Sequence, residues 1–104
     1  MPEFVTIARI DELTPGMIRT FLTGDTHLAL ANVRGEIYAI EDVCTHDGGP
    51  LGEGELLEHQ VECPRHGARF DVRTGAVTAF PAVVGVKTFP VRVEGSEVQV
   101  AIED

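Results

Sequence analysis

Hydrophobic and polar residues alternate in short runs along most of the chain, and glycine, proline or aspartate separates one run from the next. Alternation with a period of two is typical of β-strands that bury one face. No longer stretch keeps the period of about 3.6 residues that a helix requires. The pattern therefore predicts an all-β fold built from antiparallel strands.

The predicted strands fall into two halves of the chain. Four strands precede residue 42, and the short turn at Arg34-Gly35 predicts a tight hairpin between the last two of them. The second half closes with a predicted hairpin around Glu94-Gly95, in which alternate valines point inward. The predicted strands cover residues 4–9, 17–22, 27–33, 36–41, 56–62, 68–72, 86–94 and 98–102.

The composition fits one compact domain over residues 1–104, with 43% hydrophobic and 24% charged residues. A formal charge of −9 argues against binding to nucleic acid or to an anionic membrane surface. It favours either a protein that is steered toward a basic patch on a partner or a protein whose acidity simply aids solubility. The N-terminus lacks a basic signal-peptide region, and no apolar run approaches the roughly 18 residues of a membrane span, so we expect a cytoplasmic protein. We also expect the protein to be monomeric.

Candidate chemistry is concentrated in two short segments, each with one thiol and one imidazole. Cys44 is followed by His46, and Cys63 is followed by His66, with 16 residues between the two segments. These are the only cysteines, and the segments hold two of the four histidines. Glycines and prolines place both segments on loops, at about residues 43–52 (the first loop) and 62–70 (the second loop), where ligand atoms can converge.

Three interpretations compete for these residues. A Cys44–Cys63 disulfide would leave the paired histidines unexplained and suits an oxidising compartment. A zinc site uses the same ligand types, but zinc modules usually pair like ligands on one knuckle. A [2Fe-2S] cluster held by two thiolates on one iron and two imidazoles on the other suits two loops that each donate one of each.

The spacing resembles that of the Rieske-type ferredoxins, in which Cys-x-His is followed after about 15 to 17 residues by Cys-x-x-His. The resemblance extends through Cys63-Pro64-Arg65-His66-Gly67, Phe70-Asp71, Thr74-Gly75 and Pro81. It implies a small antiparallel β-barrel or sandwich with a cluster-binding subdomain of two loops. It also implies one [2Fe-2S] cluster per chain, with Cys44 and Cys63 on the inner iron and His46 and His66 on the outer iron.

The resemblance further implies an electron carrier and not an enzyme. Such a ferredoxin passes electrons from a flavin-dependent reductase to the terminal oxygenase of a ring-hydroxylating dioxygenase system. In one alternative the chain is the small Rieske subunit of an assimilatory nitrite reductase and passes electrons to that other redox acceptor. In the other, which is from a different class, the chain is a zinc-binding interaction module.

Differences from the high-potential Rieske proteins predict a low reduction potential. In those relatives a disulfide joins the two loops, at the positions that Gly49 and Arg65 fill here. Ala68 and Phe70 replace a serine and a tyrosine whose hydroxyls donate hydrogen bonds to cluster sulfurs in those relatives. Because such hydrogen bonds favour the reduced cluster, we expect a potential toward the low end of the Rieske range.

Other polar residues and one apolar segment receive more modest predictions. Residues 76–85 are predicted to form a loop that covers the cluster, or alternatively to plug one end of the barrel. Acidic residues near the loops either form a docking rim or are simply solvated. We expect the two remaining histidines at the surface. The arginines of the second loop either form local ion pairs, which we favour, or orient a partner. The acidic residues are Asp47, Glu53 and Glu55, the histidines are His27 and His59, and the arginines are Arg65 and Arg69.

Overall fold

A computed structural model describes residues 3–45 and 48–102, and these residues form antiparallel β-sheets with a single 3-10 turn at Ile10–Glu12. The predicted all-β fold is confirmed, and no described helix is long and apolar enough to cross a membrane. The strands are β1 Glu3–Arg9, β2 Ile18–Thr23, β3 Thr26–Val33, β4 Glu36–Glu41, β5 Glu55–Leu57, β6 Gln60–Glu62, β7 Arg69–Asp71, β8 Val77–Ala79, β9 Thr88–Phe89, β10 Val91–Glu94 and β11 Glu97–Ile102.

The strands form three sheets, with orders β1-β11-β10, β2-β3-β4-β9 and β5-β6-β7-β8. Strand β3 separates two hydrophobic cores, because its side chains alternate between the two faces of its sheet. Leu28 and Leu30 pack into one core with Val98 and Val100 of the first sheet. Ala29 and Ala31 pack into the other core, beneath the third sheet.

The third sheet carries the second loop. Strands β6 and β7 pair antiparallel, with Val61 opposite Phe70 and Glu62 opposite Arg69, so the loop is the connection of a hairpin. The Arg69 guanidinium lies 3.0 Å from the Glu62 carboxylate, which confirms the predicted local ion pair. The first loop, in contrast, connects β4 to β5, which belong to different sheets, so it is not the connection of a hairpin.

Three predicted segments differ from the structure. The strand predicted at 56–62 is two strands, because the chain turns at Glu58, whose φ is +61°. Within the segment predicted as a loop, Val77–Ala79 pairs with β7, and the strand ends just before Phe80-Pro81. The strand predicted at 86–94 is broken at Pro90, so that β9 pairs with β4 and β10 pairs with β11. Proline lacks the N–H that a continuous ladder would need.

The buried Asp71 carboxylate at the end of β7 gives a prediction about acid stability. Hydrogen bonds from Arg73 hold the pKa of Asp71 below its usual value of 3.8. The folded state therefore gains stability from the charged carboxylate above that value and loses it as the pH falls through the lower folded pKa. We expect Asp71→Asn to lower the free energy of unfolding by about 1–3 kcal/mol at neutral pH. Thermal unfolding should show this deficit shrinking below pH 3.8.

The matched control for this prediction is Asp25→Asn, at an exposed position in the turn between β2 and β3. Asp25→Asn should leave the free energy of unfolding close to that of the wild type at every pH. A deficit of Asp71→Asn that stayed constant down to about pH 3 would show that the carboxylate charge contributes nothing.

Candidate metal centre

The second loop is a tight turn closed by two backbone hydrogen bonds on Cys63. The Cys63 N–H donates to the carbonyl of Ala68 at 2.7 Å, and the N–H of Gly67 donates to the carbonyl of Cys63 at 3.1 Å. Gly67 has a φ of +81°, a backbone conformation that favours glycine. The turn therefore fixes the direction in which the Cys63 thiol leaves the backbone.

The first loop repeats this pattern at Cys44. The Cys44 N–H donates to the carbonyl of Gly49 at 2.7 Å, and the Gly48 N–H donates to the carbonyl of Cys44 at 2.6 Å. Gly48 stands four residues after the cysteine, as Gly67 does in the second loop, and has a φ of +79°. Two loops with different connections in the fold thus present their cysteines through the same local geometry.

Asp42 is a functional residue that the sequence analysis missed. It is 7% exposed, and its carboxylate accepts hydrogen bonds from the N–H groups of Leu51 and Gly52, both at 2.7 Å. Its second oxygen accepts a hydrogen bond from the Thr20 hydroxyl at 2.7 Å. Asp42 therefore ties the two ends of the first loop to each other and to β2. An acidic residue two positions before a cysteine was the only available signal.

The two thiols lie inside one apolar cluster, whereas His66 is exposed. Cys44 is 0% and Cys63 is 1% exposed, and no disulfide joins these two residues. The disulfide interpretation is therefore wrong for this structure. The surrounding buried side chains come from the sheet β2-β3-β4-β9, from the third sheet and its flanks, from the two loops and from the segment between β8 and β9. They are Ala29, Ala31, Ile40, Leu51, Val61, Ala68, Phe70, Val72, Ala82 and Val86.

Three of the four predicted ligands, Cys44, Cys63 and His66, belong to the described part of the chain; His46 and Asp47 lie outside it. Within residues 3–45 and 48–102, no three His, Cys, Asp or Glu side chains are grouped as ligands of one metal ion. A [2Fe-2S] cluster divides its ligands between two irons. Soft thiols in an apolar interior and an imidazole at the surface fit a cluster with one inner and one outer iron.

Residues 80–84 lie beside the first loop. The Thr45 hydroxyl donates a hydrogen bond to the carbonyl of Val84, and Ala82 is buried in the same cluster as the two cysteines. Phe80, Val83 and Val84 are 82%, 75% and 61% exposed, so they do not plug a barrel end. These three side chains form an exposed apolar patch next to the first loop, which we call the 80–84 patch.

The other predicted polar residues take different positions. Glu53 lines a groove of about 830 Å³ that reaches Gly48 and also contains the exposed His27. Glu55 is exposed at the start of β5. His59 is only partly exposed, and its imidazole lies 3.9 Å from the Asp71 carboxylate. It is therefore not the ordinary surface residue that the sequence predicts.

Comparisons with known proteins agree with this geometry. Residues 3–90 match the family model described as a Rieske [2Fe-2S] domain. The ferredoxin component of biphenyl 2,3-dioxygenase from Rhodococcus jostii is 42% identical over 92 residues, which are 88% of this chain and 86% of that relative.

Two solved structures extend the similarity to the fold. The ferredoxin of carbazole 1,9a-dioxygenase from Nocardioides aromaticivorans superposes with a TM-score of 0.92 at 36% identity, over 96% of this chain and 98% of that one. A chain from the complex of reduced oxygenase and oxidized ferredoxin in carbazole 1,9a-dioxygenase gives a TM-score of 0.88 at 37% identity, over 94% of this chain and 92% of that one.

Proposed function

The chain belongs to the Rieske [2Fe-2S] domain family, and on that premise we propose that it is an electron carrier with one low-potential cluster per chain. Cys44 and Cys63 are the proposed ligands of the inner iron, and His46 and His66 those of the outer iron. A cluster held there would accept and release single electrons.

The observation that carries the proposal is that the Cys44 and Cys63 thiols are buried while the His66 imidazole is exposed. Both thiols are enclosed by apolar side chains, which exclude water from the sulfurs. His66 is exposed in the middle of the second loop, where it provides a route to a partner protein. The paired backbone hydrogen bonds of the two loops hold the thiols in place when the charge of the site changes.

We infer that the electron acceptor is the terminal oxygenase of a ring-hydroxylating dioxygenase system, and that a flavin-dependent reductase is the donor. The named function of the Rhodococcus jostii relative and the oxygenase complex of the carbazole system support this choice of acceptor. The proposed carrier is monomeric and cytoplasmic. Reduction of a nitrite reductase in place of an oxygenase would change the assigned acceptor, and zinc bound in place of the cluster would contradict the proposed function.

The 80–84 patch is the proposed docking surface for the oxygenase, because it is apolar, exposed and hydrogen-bonded to the first loop through Thr45. The groove that reaches Gly48 of the first loop is lined by more acidic residues, among them Asp25, Glu41 and Glu53, than arginines, and these carboxylates would attract a basic rim on the partner. Docking there brings the partner next to the loops that hold the cluster.

Replacing Phe80, Val83 and Val84 with serine should weaken docking without loss of the cluster. We expect the ferredoxin concentration for half-maximal oxygenase turnover to rise about tenfold, which corresponds to about 1.4 kcal/mol of binding free energy. The assay uses the reductase, oxygenase and aromatic substrate of a dioxygenase system, with product formation measured against ferredoxin concentration.

The matched control is Val93→Ser, a valine that is 47% exposed on β10 in the first sheet. Val93→Ser should support turnover at wild-type concentrations. Turnover by the triple variant at wild-type concentrations would remove the patch from the interface. A wild-type protein that reduces no oxygenase but does reduce a nitrite reductase would assign it to that system instead.

A further inference from the structure

We propose that Arg65 is a positioning residue that clasps the two cysteine loops together by covering Gly49 of the first loop. The inference rests on the proposed function, since the clasp acts by keeping the cluster ligands of the two loops in register.

The contact is close and involves the face of the guanidinium. A Cβ atom built on Gly49 would lie 2.4 Å from Cζ of Arg65 and 2.6 Å from both Nε and Nη2. The three distances from this Cβ position are nearly equal, and the three atoms lie in one plane. The flat face of the guanidinium therefore lies over the Cα of Gly49. Arg65 also donates a hydrogen bond from Nη2 to the carbonyl of Pro50 at 3.2 Å. One side chain of the second loop thus contacts two successive residues of the first.

Comparison of the two loops shows that Gly49 is required by this contact and not by the turn. Gly49 stands five residues after Cys44, and its carbonyl accepts the cysteine N–H, as the carbonyl of Ala68 does for Cys63. The second loop therefore forms the same turn with a methyl group at the equivalent position. The φ of Gly49 also lies outside the left-handed region. Among the described residues, the three heavy atoms nearest to a Cβ at position 49 all belong to the Arg65 guanidinium.

This geometry provides a variant that breaks the clasp and keeps the charge. In Gly49→Ala the new methyl group displaces the guanidinium, whose long side chain can move into solvent, while Arg65 remains present. Arg65→Ala removes the clasp and the positive charge together. In the double variant the methyl group meets no guanidinium, so it should add nothing to the effect of Arg65→Ala.

The test measures the rate of cluster loss from the iron-loaded proteins in an iron chelator, followed by visible absorbance. Gly49→Ala, Arg65→Ala and the double variant should each lose the cluster about tenfold faster than the wild type, a factor equivalent to about 1.4 kcal/mol. The reduction potential should fall in Arg65→Ala, which loses a nearby positive charge, and stay near the wild-type value in Gly49→Ala. Arg34→Ala, which removes an ion pair with Glu58 at the opposite end of β6, should match the wild type in both.

Cluster loss from Gly49→Ala at the wild-type rate would overturn the clasp. The clasp would also be overturned if the double variant's increase in the rate of cluster loss equalled the product of the two single variants' increases. Such a product would mean that the two positions act independently and share no contact. A wild-type protein that binds no cluster would instead contradict the proposed function, so the two failures are distinguishable.

Discussion

Cys63→Ser is expected to yield a folded protein that contains neither iron nor sulfide. Iron-sulfur clusters need thiolate ligands, and a serine hydroxyl stays protonated at neutral pH and is a harder ligand. Because Cys63 is 1% exposed, no water would take the place of the lost ligand. Serine is close to cysteine in size, so the apolar cluster around position 63 should remain packed. Chemical analysis of iron and sulfide and the visible spectrum measure the result.

A second histidine supplies a matched control for the ligand His66. His66→Ala should lower the iron and sulfide content severely, whereas His27→Ala, at an exposed position beside the groove, should leave both unchanged. A full complement of iron and sulfide in Cys63→Ser, with an unchanged EPR signal, would show that Cys63 is not a ligand.

The second large expected effect is on the reduction potential. The wild-type midpoint should lie near the low end of the roughly −150 to +300 mV range of Rieske centres. Ala68 and Phe70 are both 0% exposed and belong to the apolar cluster that contains the two cysteines. Neither side chain can donate a hydrogen bond to a sulfur, so the negative charge of the reduced cluster is left less stabilised.

Ala68→Ser combined with Phe70→Tyr should raise the midpoint potential, because each new hydroxyl could donate a hydrogen bond to a sulfur of the proposed site. A buried hydroxyl is costly unless it finds an acceptor, and the sulfurs of the proposed site would provide acceptors. Protein-film voltammetry measures the change. Val100→Thr, which adds a hydroxyl to the other core, is the control and should not shift the potential. A double variant no more positive than the wild type would exclude a role for the missing donors.

Much of the site could be predicted from the sequence because its chemistry is local. Cysteine and histidine at short spacing, followed by glycines, predicted two ligand loops, and the structure places Cys44 and Cys63 together in one buried cluster. The hairpin at Arg34-Gly35 was also predictable, since a two-residue turn leaves only one register for β3 and β4.

The features that were missed depend on contacts between distant segments. The turn at Glu58 has no glycine or proline at that position. Glu58 itself has a positive φ, and its carboxylate accepts a hydrogen bond from Arg34, whose φ is also positive. Strand β8 is visible only when its partner β7 is known. The loop contacts of Asp42 likewise reach across the fold to Thr20. Sequence periodicity carries no information about such partners.

A reductive titration of the purified protein, followed by EPR, tests the proposed electron-carrier function most directly. We predict that each chain takes up one electron and that the resulting signal is that of a reduced [2Fe-2S] cluster with mixed sulfur and nitrogen ligands. The electron should be recovered on reoxidation, because a carrier returns to its starting state. A colourless protein that binds one zinc ion per chain and takes up no electron would contradict the account.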